Sequence, residues 1–256
     1  MGWAMSDSPI VEFLPGHGGV QIAVHRLGAG RPVFMIHGLS SNAAINWVRY
    51  GHAQKIADAG REVIMVDLRG HGKSEAPRDP AAYPHDVPVL DLEAVIAGLG
   101  LTDFDLVGYS LGSRLSSMLV TRGLKPKKLI LGGMGLEGLT GWVSRRAFFL
   151  SALERFDTAQ SGDRDYMAIQ FMKSVKIDPV AMRLLLLSMD DFQAEALAKI
   201  TVPTLVLSGE EDQDNGSAAA LTEALPNAQL ETVPGGHMSC ITKPEFGTAL
   251  STYLVA

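Results

Sequence analysis

A chain of 256 residues, 46% hydrophobic and 20% charged, is long enough to bury one large core, so a single domain is expected. With 22 Lys and Arg against 28 Asp and Glu, the formal net charge of -6 argues against a sequence-independent grip on nucleic acid or on anionic lipid. The single cysteine, Cys240, cannot close an internal disulfide, and a reducing compartment suits the chain.

The first segment, Met1 to Ile10, has no basic n-region and no apolar h-region. No run of about 18 apolar residues follows, so the reading is a soluble, cytoplasmic protein. Met1-Gly2-Trp3-Ala4-Met5-Ser6 fits the loose pattern for N-myristoylation. No polybasic patch follows to supply a second anchor, and no stable membrane association is expected.

Val11 to Leu14 and Val20 to Leu27 flank Gly16-His17-Gly18-Gly19 and predict an antiparallel hairpin. Short apolar runs then recur at Pro32 to Ile36, Val63 to Val66, Phe104 to Val107, Lys128 to Leu131 and Thr204 to Leu207. Between them lie helical patterns near Asn46 to Ala59, Asp86 to Leu99, Ser113 to Arg122 and Ser217 to Leu225. Strands alternating with helices predict an α/β fold: a mostly parallel, twisted sheet with helices on both faces. The alternation breaks between Gly135 and Ile200, where only helical patterns occur, around Trp142 to Phe156, Asp163 to Lys173 and Asp178 to Met189. Residues 1–134 and 201–256 are therefore read as the core and 135–200 as a helical lid subdomain, inserted after the sixth strand over the edge where such sheets bind ligands.

Gly108-Tyr109-Ser110-Leu111-Gly112 is a Gly-x-Ser-x-Gly string. Such a string arises by chance roughly 0.2 times in a chain of this glycine and serine content, so its setting matters more than its letters. It follows an apolar run and opens a helical one, the strand-turn-helix context in which a serine hydroxyl is held exposed on a strained turn. The Leu111 N–H, at the helix start, is free to donate to an oxyanion.

A serine needs a base, and seven histidines are available. His237, in Val233-Pro234-Gly235-Gly236-His237, follows the serine in the order Ser, acid, His. The acid should lie on the loop after Thr204 to Leu207, where Glu210, Glu211, Asp212 and Asp214 compete. Asp212, three residues past Gly209, is the choice, with Asp214 as runner-up. Cys240 stands close to His237 but reads as a small buried hydrophobe rather than a thiol nucleophile.

Together with Ile36-His37-Gly38, Asp67-Leu68-Arg69-Gly70-His71-Gly72-Lys73-Ser74 and Gly236-His237, these strings resemble the α/β-hydrolase superfamily in the family's own order over nearly the whole chain. The resemblance implies Ser110, His237 and Asp212 as the triad and the Leu39 N–H as second oxyanion donor beside Leu111. It also implies architectural roles for Asp67 and His71. The chain is similar to simple carboxylesterases, cofactor-free haloperoxidases and carbon–carbon bond hydrolases. The serine at 110 disfavours branches with an aspartate nucleophile, and the His-Gly-Gly-Gly string of the hormone-sensitive-lipase group is absent.

The expected activity is cleavage of a carboxylic ester or related acyl bond in a small, largely apolar molecule through an acyl-enzyme on Ser110. The alternatives are a carbon–carbon hydrolase or perhydrolase using the same triad, or a hydrolase fold retained as a small-molecule binder. Neither cofactor nor metal is called for, because the scattered histidines and one cysteine give no metal-ligand spacing. The expected partner is a small-molecule substrate, and self-association into a homo-oligomer is compatible with the sequence. In the insertion, Phe148, Phe149, Leu150, Phe171, Met172, Leu184 to Leu187, Met189 and Phe192 divide between packing and pocket lining. Arg145 and Arg146, beside Trp142, read as solvated charges, a grip on a substrate carboxylate being the other reading. Asp212-Gln213-Asp214-Asn215-Gly216-Ser217 stands out as a motif without an assigned chemistry.

Overall fold

Short continuous apolar runs mark strands buried on both faces, and the computed structural model, which describes residues 8–256, gathers eight strands into one sheet. They are β1 Ile10–Pro15, β2 Gln21–Gly28, β3 Arg31–Ile36, β4 Arg61–Val66, β5 Asp105–Tyr109, β6 Leu129–Gly132, β7 Thr204–Gly209 and β8 Ala228–Val233. Their spatial order is β1-β2-β4-β3-β5-β6-β7-β8. β1 and β2 form the expected antiparallel hairpin, β2 runs antiparallel to β4, and the remaining neighbours are parallel. The myristoylation-like string at residues 1–6 lies outside the described residues. Among those described, no helix is long and apolar enough to cross a membrane.

Alternation along the strands splits the core in two. Val33, Met35, Val63, Met65 and Val107 point to the face covered by α1 (His52–Asp58) and α10 (Pro244–Val255), where they meet Ile56, Phe246 and Leu250. Phe34, Ile36, Ile64, Leu106 and Leu131 point to the other face, under α2 (Val87–Gly98) and α3 (Leu111–Thr121), against Val95, Leu115 and Leu119. Each such side chain contributes about 1.5–3 kcal/mol of hydrophobic burial, which fixes strand register firmly.

Two departures from the expected helices trace to a single residue each. The single helix expected over Asn46 to Ala59 is a five-residue π-turn, Ala44–Val48, followed by α1, because Gly51 sits between them at φ 76° in the left-handed region. α3 begins at Leu111 rather than Ser113, since the chain turns within the single residue Ser110.

Between β6 and β7 every regular element is helical: α4 Leu136–Thr140, α5 Trp142–Glu154, α6 Tyr166–Ser174, α7 Pro179–Leu187 and a 3₁₀ turn at Ala194–Lys199. α7 starts where Asp178 caps it, its carboxylate accepting from the N–H groups of Val180 and Ala181 at 2.9 and 3.1 Å, with Pro179 at the first helical position. Leu153, Ile169, Leu185 and Met189 continue the α3-side core into this insertion. β7 is followed by α8, Ala218–Ala224, and β8 by the short α9, His237–Cys240.

Arg114, on α3 and only 1% exposed, ties the insertion to the core. Its guanidinium donates to the carbonyls of Leu139 and Asp190 and lies 5.4 Å from the centre of the Trp142 ring. Burial pushes this guanidinium down to about 10, yet it stays charged at neutral pH. Replacing it strands the carbonyl of buried Leu139 and releases that of Asp190, so Arg114→Met is expected to lower unfolding free energy by about 2–4 kcal/mol in urea denaturation. A loss under about 1 kcal/mol would show that the anchor is dispensable.

Candidate active site

β3, β5, β6, β7 and β8 are parallel, so the loops after them share one edge of the sheet, where α/β proteins place ligands. Ser110 follows β5 directly. Its backbone, at φ 53° and ψ −115°, is one that L-residues rarely adopt, and it is held there by its neighbours. A Cβ on Gly108 would lie 2.4 Å from the Gly112 backbone, and one on Gly112 only 2.1 Å from the Ile36 carbonyl oxygen of β3. Both positions need glycine for close approach. The Ser110 N–H and the Ser113 hydroxyl both donate to the Gly132 carbonyl at 2.8 Å, pinning the turn to β6.

His237 Nε2 lies 3.0 Å from Ser110 Oγ, and His237 Nδ1 lies 2.9 Å from Asp212 Oδ2. A carboxylate only accepts, so the imidazole carries its proton on Nδ1 and turns the Nε2 lone pair to the serine hydroxyl. Asp212 is 7% exposed, whereas Glu210, Glu211 and Asp214 are exposed. Asp214 touches Asp212 through its backbone, its N–H donating to Asp212 Oδ1 at 3.0 Å. The structure thus brings Ser110, His237 and Asp212 together and leaves Asp214 outside the chain of side-chain contacts.

Tyr109 was not singled out in the sequence, yet its hydroxyl donates to the His237 carbonyl and its ring stacks on the imidazole with centroids 5.4 Å apart. Burial pushes its phenol well above the usual range, so it remains a donor. Gly133, at φ 57°, leaves room for this ring, a Cβ there falling 2.8 Å from it. Cys240 is fully buried, 3.4 Å from the Tyr109 hydroxyl, and burial raises its thiol above the usual range. That environment disfavours a thiolate nucleophile.

Leu39 and Leu111 flank the serine. Among the described residues neither backbone N–H has an acceptor. The Leu39 loop abuts the elbow, a Cβ on Gly38 lying 3.3 Å from Ser110 Cβ, and two buried histidines hold it in place. His71 Nε2 accepts the Ser40 N–H at 3.0 Å while its Nδ1 faces the Arg69 carbonyl at 2.9 Å. His37 Nε2 accepts the Leu68 N–H at 3.0 Å and its Nδ1 faces the Gly38 carbonyl at 2.7 Å. Burial pushes His37 below the usual range and His71 down to about 3, so both stay neutral and free to accept. Asp67 accepts from the Ala43 N–H at 2.8 Å, from the Lys73 N–H at 2.8 Å and from His25 at 2.9 Å, an architectural set of contacts. Asn46, also not singled out, accepts the Gly38 N–H on its side-chain oxygen at 3.1 Å from within the π-turn. An asparagine inside a helical pattern, where its propensity is poor, was the available signal.

Ser110, His237 and Leu39 open into a cavity of about 920 Å³ that also reaches Phe148, Phe149, Phe171 and Met172 of the insertion. Leu185, Leu186, Met189 and Phe192, by contrast, are buried in the core. Of the trio at the start of α5, Trp142 is 3% exposed, Arg146 is turned to the Met189 carbonyl at 2.6 Å, and Arg145 lines the cavity. The motif after Asp212 acquires a structural reading: the Asn215 side chain donates to the Gly133 carbonyl at 2.7 Å and its own carbonyl accepts from Gly138 at 2.8 Å, stitching the acid's loop to the root of the insertion.

Residues 33–246 match the profile described as the alpha/beta hydrolase family. The non-heme chloroperoxidase CPO-A1 of Kitasatospora aureofaciens is 27% identical over 250 residues, covering 85% of this chain and 88% of that protein. The 2-hydroxymuconate semialdehyde hydrolase of a Pseudomonas species is 34% identical over 123 residues, covering 48% of this chain and 42% of that one. Among solved structures, an esterase from Exiguobacterium antarcticum superposes with a TM-score of 0.76 at 25% identity over 96% of this chain and 100% of the other. The chain is thus similar to an esterase, a chloroperoxidase and a semialdehyde hydrolase, and it belongs to the α/β-hydrolase family.

Proposed function

We propose that this chain is a serine hydrolase that cleaves a carboxylic ester or related acyl bond of a small molecule through an acyl-enzyme on Ser110. The observation that carries the reading is the hydrogen-bonded line Ser110 Oγ, His237, Asp212, at 3.0 and 2.9 Å, opening on a ligand-sized cavity. In the first step Ser110 Oγ bonds to the carbonyl carbon and its proton passes to His237 Nε2. Asp212 fixes the imidazole orientation and stabilises the imidazolium. The carbonyl oxygen becomes an oxyanion facing the Leu39 and Leu111 N–H groups, and removing such a donor typically costs roughly 3–4 kcal/mol of transition-state stabilisation. Collapse breaks the bond to the leaving alcohol, which takes the proton from His237. A water, deprotonated by the same imidazole, then attacks the acyl-enzyme, releases the acid and restores Ser110.

Residues 135–200 act in this reading as a lid whose aromatic side chains Phe148, Phe149 and Phe171 receive the substrate's apolar body. Residues 1–134 and 201–256 supply the chemistry.

A fluorophosphonate probe should label Ser110 in the folded protein, and Ser110→Ala should abolish labelling and lower kcat/KM on p-nitrophenyl esters by about a thousandfold or more. Failure of the folded wild-type chain to label would favour a non-catalytic binder. The acid is tested separately. Asp212→Asn should cost about three orders of magnitude in kcat, while Asp214→Asn, whose contact with Asp212 runs through the backbone, should cost less than about tenfold. The reverse ranking would move the acid to Asp214.

A further inference from the structure

The five arginines of the insertion fall into two groups. Arg146, Arg155 and Arg183 have carboxylate partners: Asp190 at 3.6 Å, Asp165 at 3.2 Å together with Asp163, and Glu154 at 3.7 Å. Arg145 and Arg164, which line the cavity at Ser110, have none among the described residues. Arg145 donates to the backbone carbonyl of Asp214 and lies 5.9 Å from the centre of the Phe149 ring. Arg164 stands 5.6 Å from the Phe148 ring and is exposed.

Arg145 also lines a recess of about 20 Å³, room for one water, together with Ser110, Leu39, Leu111 and Trp142. Trp142 is 3% exposed, and its indole Nε1–H has no hydrogen-bond partner among the described residues. A buried donor left unpaired costs about 1–3 kcal/mol, and a half-buried guanidinium with most of its N–H groups unused adds to that cost. Burial holds Arg145 below the usual guanidinium range, although Asp214 and Asp212 pull the other way. Two carboxylates share the cavity wall. Glu137 accepts the Ser217 N–H at 2.8 Å and Asp214 is exposed, so both are available to water, whereas Arg145 is the cation of the cavity wall that also lines the recess at Ser110.

We propose that the acyl group taken by this site carries a second carboxylate, held by Arg145. The inference rests on the acyl-enzyme reading of Ser110 and names its substrate class: monoesters of short dicarboxylic acids. The scissile carbonyl faces Leu39 and Leu111, and the far carboxylate meets the guanidinium fork where Arg145 lines the main cavity, whose apolar part also takes the leaving alcohol.

Two matched esters test it, mono-p-nitrophenyl glutarate and p-nitrophenyl pentanoate. Wild type should favour the glutarate ester in kcat/KM by about tenfold or more, and Arg145→Gln should erase that preference through KM, with Arg145→Lys keeping part of it. A wild type that favours the pentanoate ester, or an unchanged ratio in Arg145→Gln, overturns the proposal. Calorimetry of glutarate binding to Ser110→Ala protein reads the same subsite without turnover. Binding that weakens about tenfold when Arg145→Gln is added supports it, and absent or unaltered binding overturns it. Loss of fluorophosphonate labelling and of turnover on both esters would instead sink the acyl-enzyme reading, and the calorimetric arm would still decide whether the carboxylate subsite exists. Circular dichroism of each variant verifies that the fold is intact.

Discussion

The arrangement at the sheet edge depends on one crowded junction, where β5 becomes α3. Gly112 packs its bare Cα against the Ile36 carbonyl of β3, and Gly108 packs against the first turn of the helix it precedes. The chain can reverse in so little space only if the intervening residue takes a rare backbone conformation, and Ser110 does so at φ 53° and ψ −115°. Such a conformation costs about 1–3 kcal/mol, a sum the surrounding core must offset. Two hydrogen bonds to the Gly132 carbonyl and the buried side chains of Leu106, Val107, Leu111 and Leu115 supply that support. The strain has a geometric consequence. It projects the Ser110 hydroxyl above the sheet edge while leaving the Leu111 N–H without an acceptor among the described residues.

Three histidines near this edge have one chemistry and two environments. His37 and His71 are buried without a carboxylate in hydrogen-bond contact, and burial keeps them neutral, so each accepts a backbone N–H and fixes the loop that carries Leu39. His237 differs by a single partner. The Asp212 carboxylate at 2.9 Å both selects its tautomer and is positioned to stabilise a positive ring. A buried imidazole that only accepts is architecture, whereas one placed between a carboxylate and a hydroxyl can move a proton.

Much of this was legible in the sequence because the signals are local. Strands buried on both faces leave apolar runs, and a nucleophile elbow leaves glycines at fixed spacing, so seven of the eight strands, the helical insertion and the meeting of residues 110, 212 and 237 could be anticipated, whereas the largely exposed edge strand β8 leaves no such run. What escaped was set by contacts distant in sequence or by single backbone angles. The helix expected over Asn46 to Ala59 breaks at Gly51, and the π-turn before that break is what aims Asn46 at the Gly38 N–H. Tyr109 read as an ordinary residue within the elbow, and its grip on the His237 carbonyl spans 128 positions. The division of the insertion's apolar residues between core and cavity was equally hidden, since helical periodicity marks a buried face without naming what faces it.

The motif after Asp212 shows why the insertion and the acid's loop cannot be treated as separate parts. Leu136 N–H donates to the Ser217 carbonyl at 3.1 Å, Gly138 N–H to the Asn215 carbonyl at 2.8 Å, and the Asn215 side chain to the Gly133 carbonyl at 2.7 Å, while the Glu137 carboxylate accepts from Ser217. Gly135 and Gly138 permit this closeness, a Cβ on either falling within 2.7 Å of the Asn215–Gly216 stretch. Each of these bonds is worth about 0.5–1.5 kcal/mol net, and more where breaking it would leave a buried group unpaired. Swinging the whole insertion away from the sheet would break all of them and also the Arg114 contacts to Leu139 and Asp190. The root of the insertion therefore belongs mechanically to the core. A change in cavity width that leaves the Asp212 loop undisturbed has to arise beyond α4, in α5 and α6, whose cavity-facing side chains Phe148, Phe149 and Phe171 are only half-buried.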